Sequence, residues 1–121
     1  MKQIVENLAF DQIYHEHLLY YNLATIQTLL ARHGLAMFDC YLSPIHGGSI
    51  IGFVTHAVKR PVSLRLEMML DAENAAGSNE IETYRRFAGA ILEKKEENLE
   101  YLHRQRAAGK QIFGFGAPVK G

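Results

Sequence analysis

The sequence predicts an α/β chain: a helix and a β-hairpin, followed by long helices and a final short strand. Three observations predict it. Apolar residues recur at helical spacing in "NLATIQTLLARHG"; two strand-like runs, "LAMFDCYL" and "SIIGFVTH", are joined through "SPIHGG"; and a long amphipathic stretch runs from Asn79 to about Ala107.

The first element is ambiguous. In "FDQIYHEHLLYY", Phe10 to Tyr21, Asp11 suits a cap, whereas the aromatic and β-branched residues weigh weakly against a helix, so helix and loop both stay open. Next, Leu23, Ile26, Leu29 and Leu30 fall on one helical face, with Asn22 as a cap and Gly34 as the stop. In the first strand Phe38, Cys40 and Leu42 alternate onto one face. Pro44, Gly47 and Gly48 make the tip a loop that carries His46 beyond the strand ends, either as an ordinary solvent-exposed turn or as a loop that approaches a ligand.

After "KRP", Leu66, Met69 and Leu70 mark a further helix that breaks at Gly77. The long helix opens on an Asn79 to Glu82 capping-box pattern and keeps Ile81, Tyr84, Ala88, Ile91, Leu92, Leu99 and Leu102 near one side. At 1.5 Å per residue it reaches about 40 Å, longer than a small domain is wide, so part of it is expected to pack on another subunit, domain or helix. The run "EKKEE" reads as its solvated face. Last, Gln111 to Phe115 reads as a strand entering a glycine-bearing turn, a weak echo of phosphate-binding turns.

Composition narrows the function classes. The 121 residues, 48% hydrophobic, suffice for a core of their own. Thirteen basic residues balance thirteen acidic ones, so neither nucleic acid nor an anionic membrane is favoured as partner. The single cysteine, Cys40, excludes an internal disulfide and a cysteine-based zinc cluster and fits a reducing compartment. "MKQIVENLAF" has no signal-peptide apolar block, and "SIIGFV" is far short of the ~20 residues that span a bilayer. The expectation is a soluble, cytoplasmic chain.

The chemistry concentrates in the opening stretch. As a strand it would point His15 and His17 to one face as two metal ligands, with a third needed, such as His46; the spacing is not the H-E-x-x-H of zinc hydrolases. As a helix it would line up Phe10, Tyr14, His17 and Tyr21, making Tyr14 and His17 neighbours with Glu16 beside them in sequence. An imidazole takes a proton near neutral pH, and a phenol holds an oxygen on which negative charge develops. The plainer reading makes the aromatics core and the histidines their polar edge.

Taken together, Phe10 to His56, with Y-H-E-H at Tyr14 to His17 and H-G-G-S at His46 to Ser49, resembles the end of the methyltransferase domain of S-adenosylmethionine-dependent sugar C-methyltransferases. These enzymes methylate a carbon of a nucleotide-linked keto-deoxysugar. "IFGFGAPVKG" resembles the opening strand and turn of their C-terminal α/β domain. The resemblance implies a partial Rossmann-like sheet, with residues 1–58 ending a methyltransferase domain, 59–109 a helical connector, and 110–121 the first strand and turn of a truncated C-terminal domain.

It implies His17 as the base that removes the proton beside the sugar ketone, with Tyr14 and Glu16 in support; the enolate then attacks the sulfonium methyl. It further implies His46, Gly47, Gly48, Ser49 and Lys120 on the substrate side. The family's zinc cysteines, and the strand, glycine-rich loop and acidic residue that hold S-adenosylmethionine, have no counterpart here. No cofactor is therefore expected to bind this chain alone, and no metal site is assigned. Partners are expected to be the nucleotide sugar in the intact enzyme and either a missing cofactor domain or a second copy. The rival is a non-catalytic module that dimerises through the long helix.

Overall fold

The computed structural model describes residues 1–45, 48–57 and 60–116. A short helix, α1 (Lys2–Glu6), and a single 3-10 turn, Phe10–Gln12, precede α2 (Leu23–Ala31). Strands β1 (Leu35–Ser43) and β2 (Ser49–His56) form an antiparallel hairpin, and α3 (Leu64–Ala75) and α4 (Ile81–Ala107) complete the order.

Asn22 caps α2, as its sequence position suggests. Thr25 Oγ1 accepts the Asn22 N–H at 2.9 Å, in a capping-box arrangement. The buried Asn22 Oδ1 lies over the first turn without completing a hydrogen bond. After α2, Gly34 takes the left-handed conformation (φ 67°) that ends a helix cheaply only at glycine, and its carbonyl accepts Ala57 N–H at 2.9 Å to close the base of the hairpin.

The strand pairing corrects the predicted face. Met37 pairs with Val54 and Asp39 with Phe53, so Phe38 is an extra residue in a β-bulge. Cys40 and Leu42 keep a common face, but Met37 joins them instead of Phe38. Phe38 turns to the opposite face, 6.2 Å from the Phe53 ring. The core is small: Leu23, Met37, Cys40 and Leu66 are buried, with Ile26, Leu30, Met69 and Leu70 against them. α2 and α3 both pack on β1.

Two further expectations are corrected. Residues 111–116 carry no strand, because a strand needs a ladder partner and the described sheet consists of β1 and β2 alone. Phe113 and Phe115 are left fully exposed. The Asn79 to Glu82 capping box also does not form: Glu80 is the residue that opens α4, and the Asn79 carboxamide oxygen instead accepts Asn22 Nδ2 at 3.2 Å.

α4 has 27 residues, and Thr83 and Phe87 near its start are its buried members. From Leu92 to Ala107 every residue except the half-buried Gln105 is exposed. Among the described residues no helix is long and apolar enough to cross a membrane.

Candidate functional site

Of the helix and the loop left open for the opening stretch, the structure takes the loop, and it does not form the strand that a metal site would need. Tyr14 to His17 form a tight turn, closed by His17 N–H donating to the Tyr14 carbonyl at 3.0 Å. The turn brings together residues three apart, as a helix would. Tyr14 Oη and His17 Nε2 stand 2.9 Å apart, and the two rings lie 4.2 Å between centroids. Which atom donates depends on the His17 tautomer.

His15 points elsewhere, meeting Tyr14 edge-on at 6.3 Å. Glu16 and His17 are exposed and Tyr14 is half-buried. Among the described residues Glu16 makes no hydrogen bond or ion pair, and His17 Nδ1 has no hydrogen-bond partner. The structure thus pairs His17, and not His15, with the Tyr14 hydroxyl.

Buried hydrogen bonds hold the exit of this loop. Both Glu73 oxygens accept the Leu23 N–H, at 2.9 and 2.8 Å, and Glu73 is itself only 3% exposed. Asn22 Nδ2 donates to the Ser78 carbonyl at 2.5 Å and to Tyr84 Oη at 3.0 Å, while Tyr84 Oη donates to the same Ser78 carbonyl. The α3–α4 junction therefore fixes where the loop meets α2. Gly77, at φ 61°, makes the sharp turn of that junction.

Of the predicted substrate-side residues, Gly48 and Ser49 stand at the foot of β2. Ser49 Oγ donates to the Ile45 carbonyl at 3.0 Å, and a Cβ on Gly48 would come within 3.1 Å of the Gln3 side chain. Among the described residues, no hydrogen bond joins Gly48 or Ser49 to the Tyr14–His17 turn. His46, Gly47 and Lys120 lie outside the described residues. Beside Gly48, an open cavity of about 670 Å³ runs between the hairpin and α1 to α3, lined mainly by apolar side chains such as Ile26, Leu30, Met37 and Val54, with Asn22 and Glu73 as polar lining.

A second polar cluster, which no local sequence pattern announces, joins β1 to the start of α3. Arg65 Nε donates to Asp39 Oδ1 at 3.1 Å and its Nη2 to Oδ2, while Ser63 Oγ donates to Asp39 Oδ1 at 2.6 Å. The Arg65 guanidinium, aided by the Ser63 hydroxyl, holds the Asp39 carboxyl below its usual range. Ser63 also caps α3, accepting Leu66 N–H at 3.2 Å. Burial pushes the Cys40 thiol up, so it is core material and not a nucleophile. No cluster of three metal-ligating side chains exists among the described residues.

Residues 44–121 match the family described as C-methyltransferase C-terminal domain. The chain belongs to that family. This member is also 36% identical over 120 residues to the C-methyltransferase NovU of Streptomyces niveus, an alignment covering 98% of this chain and 29% of that relative. The C-methyltransferase match begins at Pro44, directly after β1, and so starts inside the 1–58 unit read from the sequence. It includes β2, α3, α4 and the segment after them. The Tyr14–His17 turn of this C-methyltransferase family member lies before that match but within the similarity to NovU, which covers nearly the whole chain.

Proposed function

We propose that this chain is the part of an S-adenosylmethionine-dependent C-methyltransferase that carries the base acting on a nucleotide-linked keto-deoxysugar. The observation that supports it is the 2.9 Å contact between Tyr14 Oη and His17 Nε2 on an exposed turn. Tyr14 engages Nε2, so Nδ1 is the nitrogen that takes the proton from the carbon beside the ketone. Neutral His17 then keeps its hydrogen on Nε2 and donates it to Tyr14 Oη, leaving the Nδ1 lone pair for the substrate.

Glu16, next to His17 in the turn and exposed, is assigned a supporting role beside the base. His46, Gly47, Gly48, Ser49 and Lys120 are assigned to the substrate side. The cofactor itself would supply the methyl group. The described residues do not fit it: no parallel strand among them runs into a glycine turn and helix, so no step of cofactor binding is assigned here. The chain spans 29% of the length of the relative it matches, and the proposed whole enzyme includes a cofactor-binding part beyond these residues.

The test is His17→Asn in an enzyme completed with the cofactor-binding part of a family member. A positioned base contributes about 10²–10⁴ in rate, so kcat falls by about that factor with KM for the nucleotide sugar little changed, and His15→Asn is mild. A parental kcat in His17→Asn removes the proposal.

A second reading, a module that dimerises through α4, is favoured by one observation: Ile81, Leu92, Leu99 and Leu102 are exposed and share one side of the helix. Light scattering decides it. A concentration-dependent dimer that Leu99→Glu dissolves supports it, and a monomer at tens of micromolar removes it.

A further inference from the structure

The geometry points to Tyr20 as the residue that positions the Tyr14–His17 pair. Its hydroxyl donates to the Gln12 carbonyl at 2.9 Å and accepts the Tyr14 N–H at 3.2 Å, so one oxygen bridges the chain on both sides of Ile13. Its ring meets the His17 ring edge-on, 5.8 Å between centroids and 68° between planes. Tyr20 thus holds the backbone that carries Tyr14 and one flank of the imidazole at the same time.

An exposed turn needs such a brace. Tight turns at the surface exchange among backbone conformations unless side-chain hydrogen bonds fix them, and a base works only from a geometry held to about half an ångström. The half-buried Tyr20 supplies rigidity that Glu16 and His17, both exposed, do not. Its aromatic body adds a T-shaped contact in which ring edge meets ring face. Tyr20 touches no reacting atom in this arrangement; it acts through Tyr14 and His17.

The consequence for catalysis rests on the His17 reading above, whereas the consequence for geometry does not, and the test separates them. In the full 121-residue chain, nuclear Overhauser contacts between the Tyr14 and His17 rings are expected to be strong. Tyr20→Phe, which deletes one oxygen, weakens them at least fivefold and speeds Tyr14 amide exchange about tenfold. Contacts across the Met37–Val54 pair stay unchanged. Unaltered ring contacts and exchange in Tyr20→Phe overturn the inference. Should that variant fail to fold, the parental protein still decides: a Tyr14 amide that exchanges as fast as an unprotected one overturns it too.

In the completed enzyme, Tyr20→Phe lowers kcat about tenfold with KM for the nucleotide sugar unchanged. A parental kcat in Tyr20→Phe beside an inactive His17→Asn sinks the positioning role and leaves the base in place. A parental kcat in His17→Asn sinks the base, and the ring contacts alone then decide the role of Tyr20.

Discussion

The buried carboxylate of Glu73 grips the backbone N–H of Leu23 with both oxygens, at 2.9 and 2.8 Å, and ties the end of α3 to the first residue of α2. The first N–H groups of a helix have no partner within it, and the positive end of the helix dipole favours an anion there. A single side chain therefore satisfies a buried donor and fixes the exit of the loop that carries Tyr14 and His17. Glu73→Ala leaves the Leu23 N–H unpaired in the core, at a cost of about 1–3 kcal/mol. Glu73→Gln retains an acceptor and costs less. Urea unfolding of the chain measures both, and equal midpoints for Glu73→Ala and the parent would show that the contact adds nothing.

Acid should loosen the link between the hairpin and α3. Arg65 and Ser63 depress the Asp39 carboxyl below its unfolded value, so the stabilisation from this pair is fully present above the usual carboxylate range and is lost as pH falls through the folded value. Stability measured from pH 6 down to pH 2 declines more steeply in the parent than in Asp39→Asn. Parallel curves for the two proteins would contradict this.

Cys40 offers a probe of the core. It is fully buried, its Sγ lies 3.4 Å from the Met69 sulfur, and burial keeps the thiol protonated. An aromatic disulfide reagent at pH 8 therefore labels it only as the core opens, at a rate that rises with added urea. Leu66→Ala, which empties the centre of the same cluster, speeds labelling and costs about 2–5 kcal/mol. Labelling at the rate of a free thiol would contradict the burial of Cys40.

The helices were legible because their signals are local: the spacing of Leu23, Ile26 and Leu30, the Asn22 cap, and the glycine stops at Gly34 and Gly77. What escaped depends on partners far away in sequence. Phe38 changes face because of one extra residue opposite Val54 and Phe53, which no alternation pattern contains. Asn79 carries the mark of a helix cap, yet its carboxamide is engaged by Asn22, 57 residues away in sequence. The strand read at Gln111–Phe115 has the composition of a strand but no ladder to join.

The site shows the same division. The spacing of Tyr14 and His17 makes them neighbours in a turn as well as in a helix. No spacing announces Tyr20, since its bonds to Gln12 and Tyr14 depend on the path of the loop. Asp39 with Arg65, and Glu73 with Leu23, are pairs separated by 26 and 50 residues, and nothing in their local sequence announces them.

Solvent deuterium exchange at the carbon beside the ketone tests the central claim most directly, because it requires the base but not completed methyl transfer. It is measured on the nucleotide-linked keto-sugar in the completed enzyme, in parent, His15→Asn and His17→Asn. Exchange at the parental rate in His15→Asn, with a loss of about 10²-fold or more in His17→Asn, is the predicted result. Parental exchange in His17→Asn together with its loss in His15→Asn would contradict the account and move the base to the other histidine.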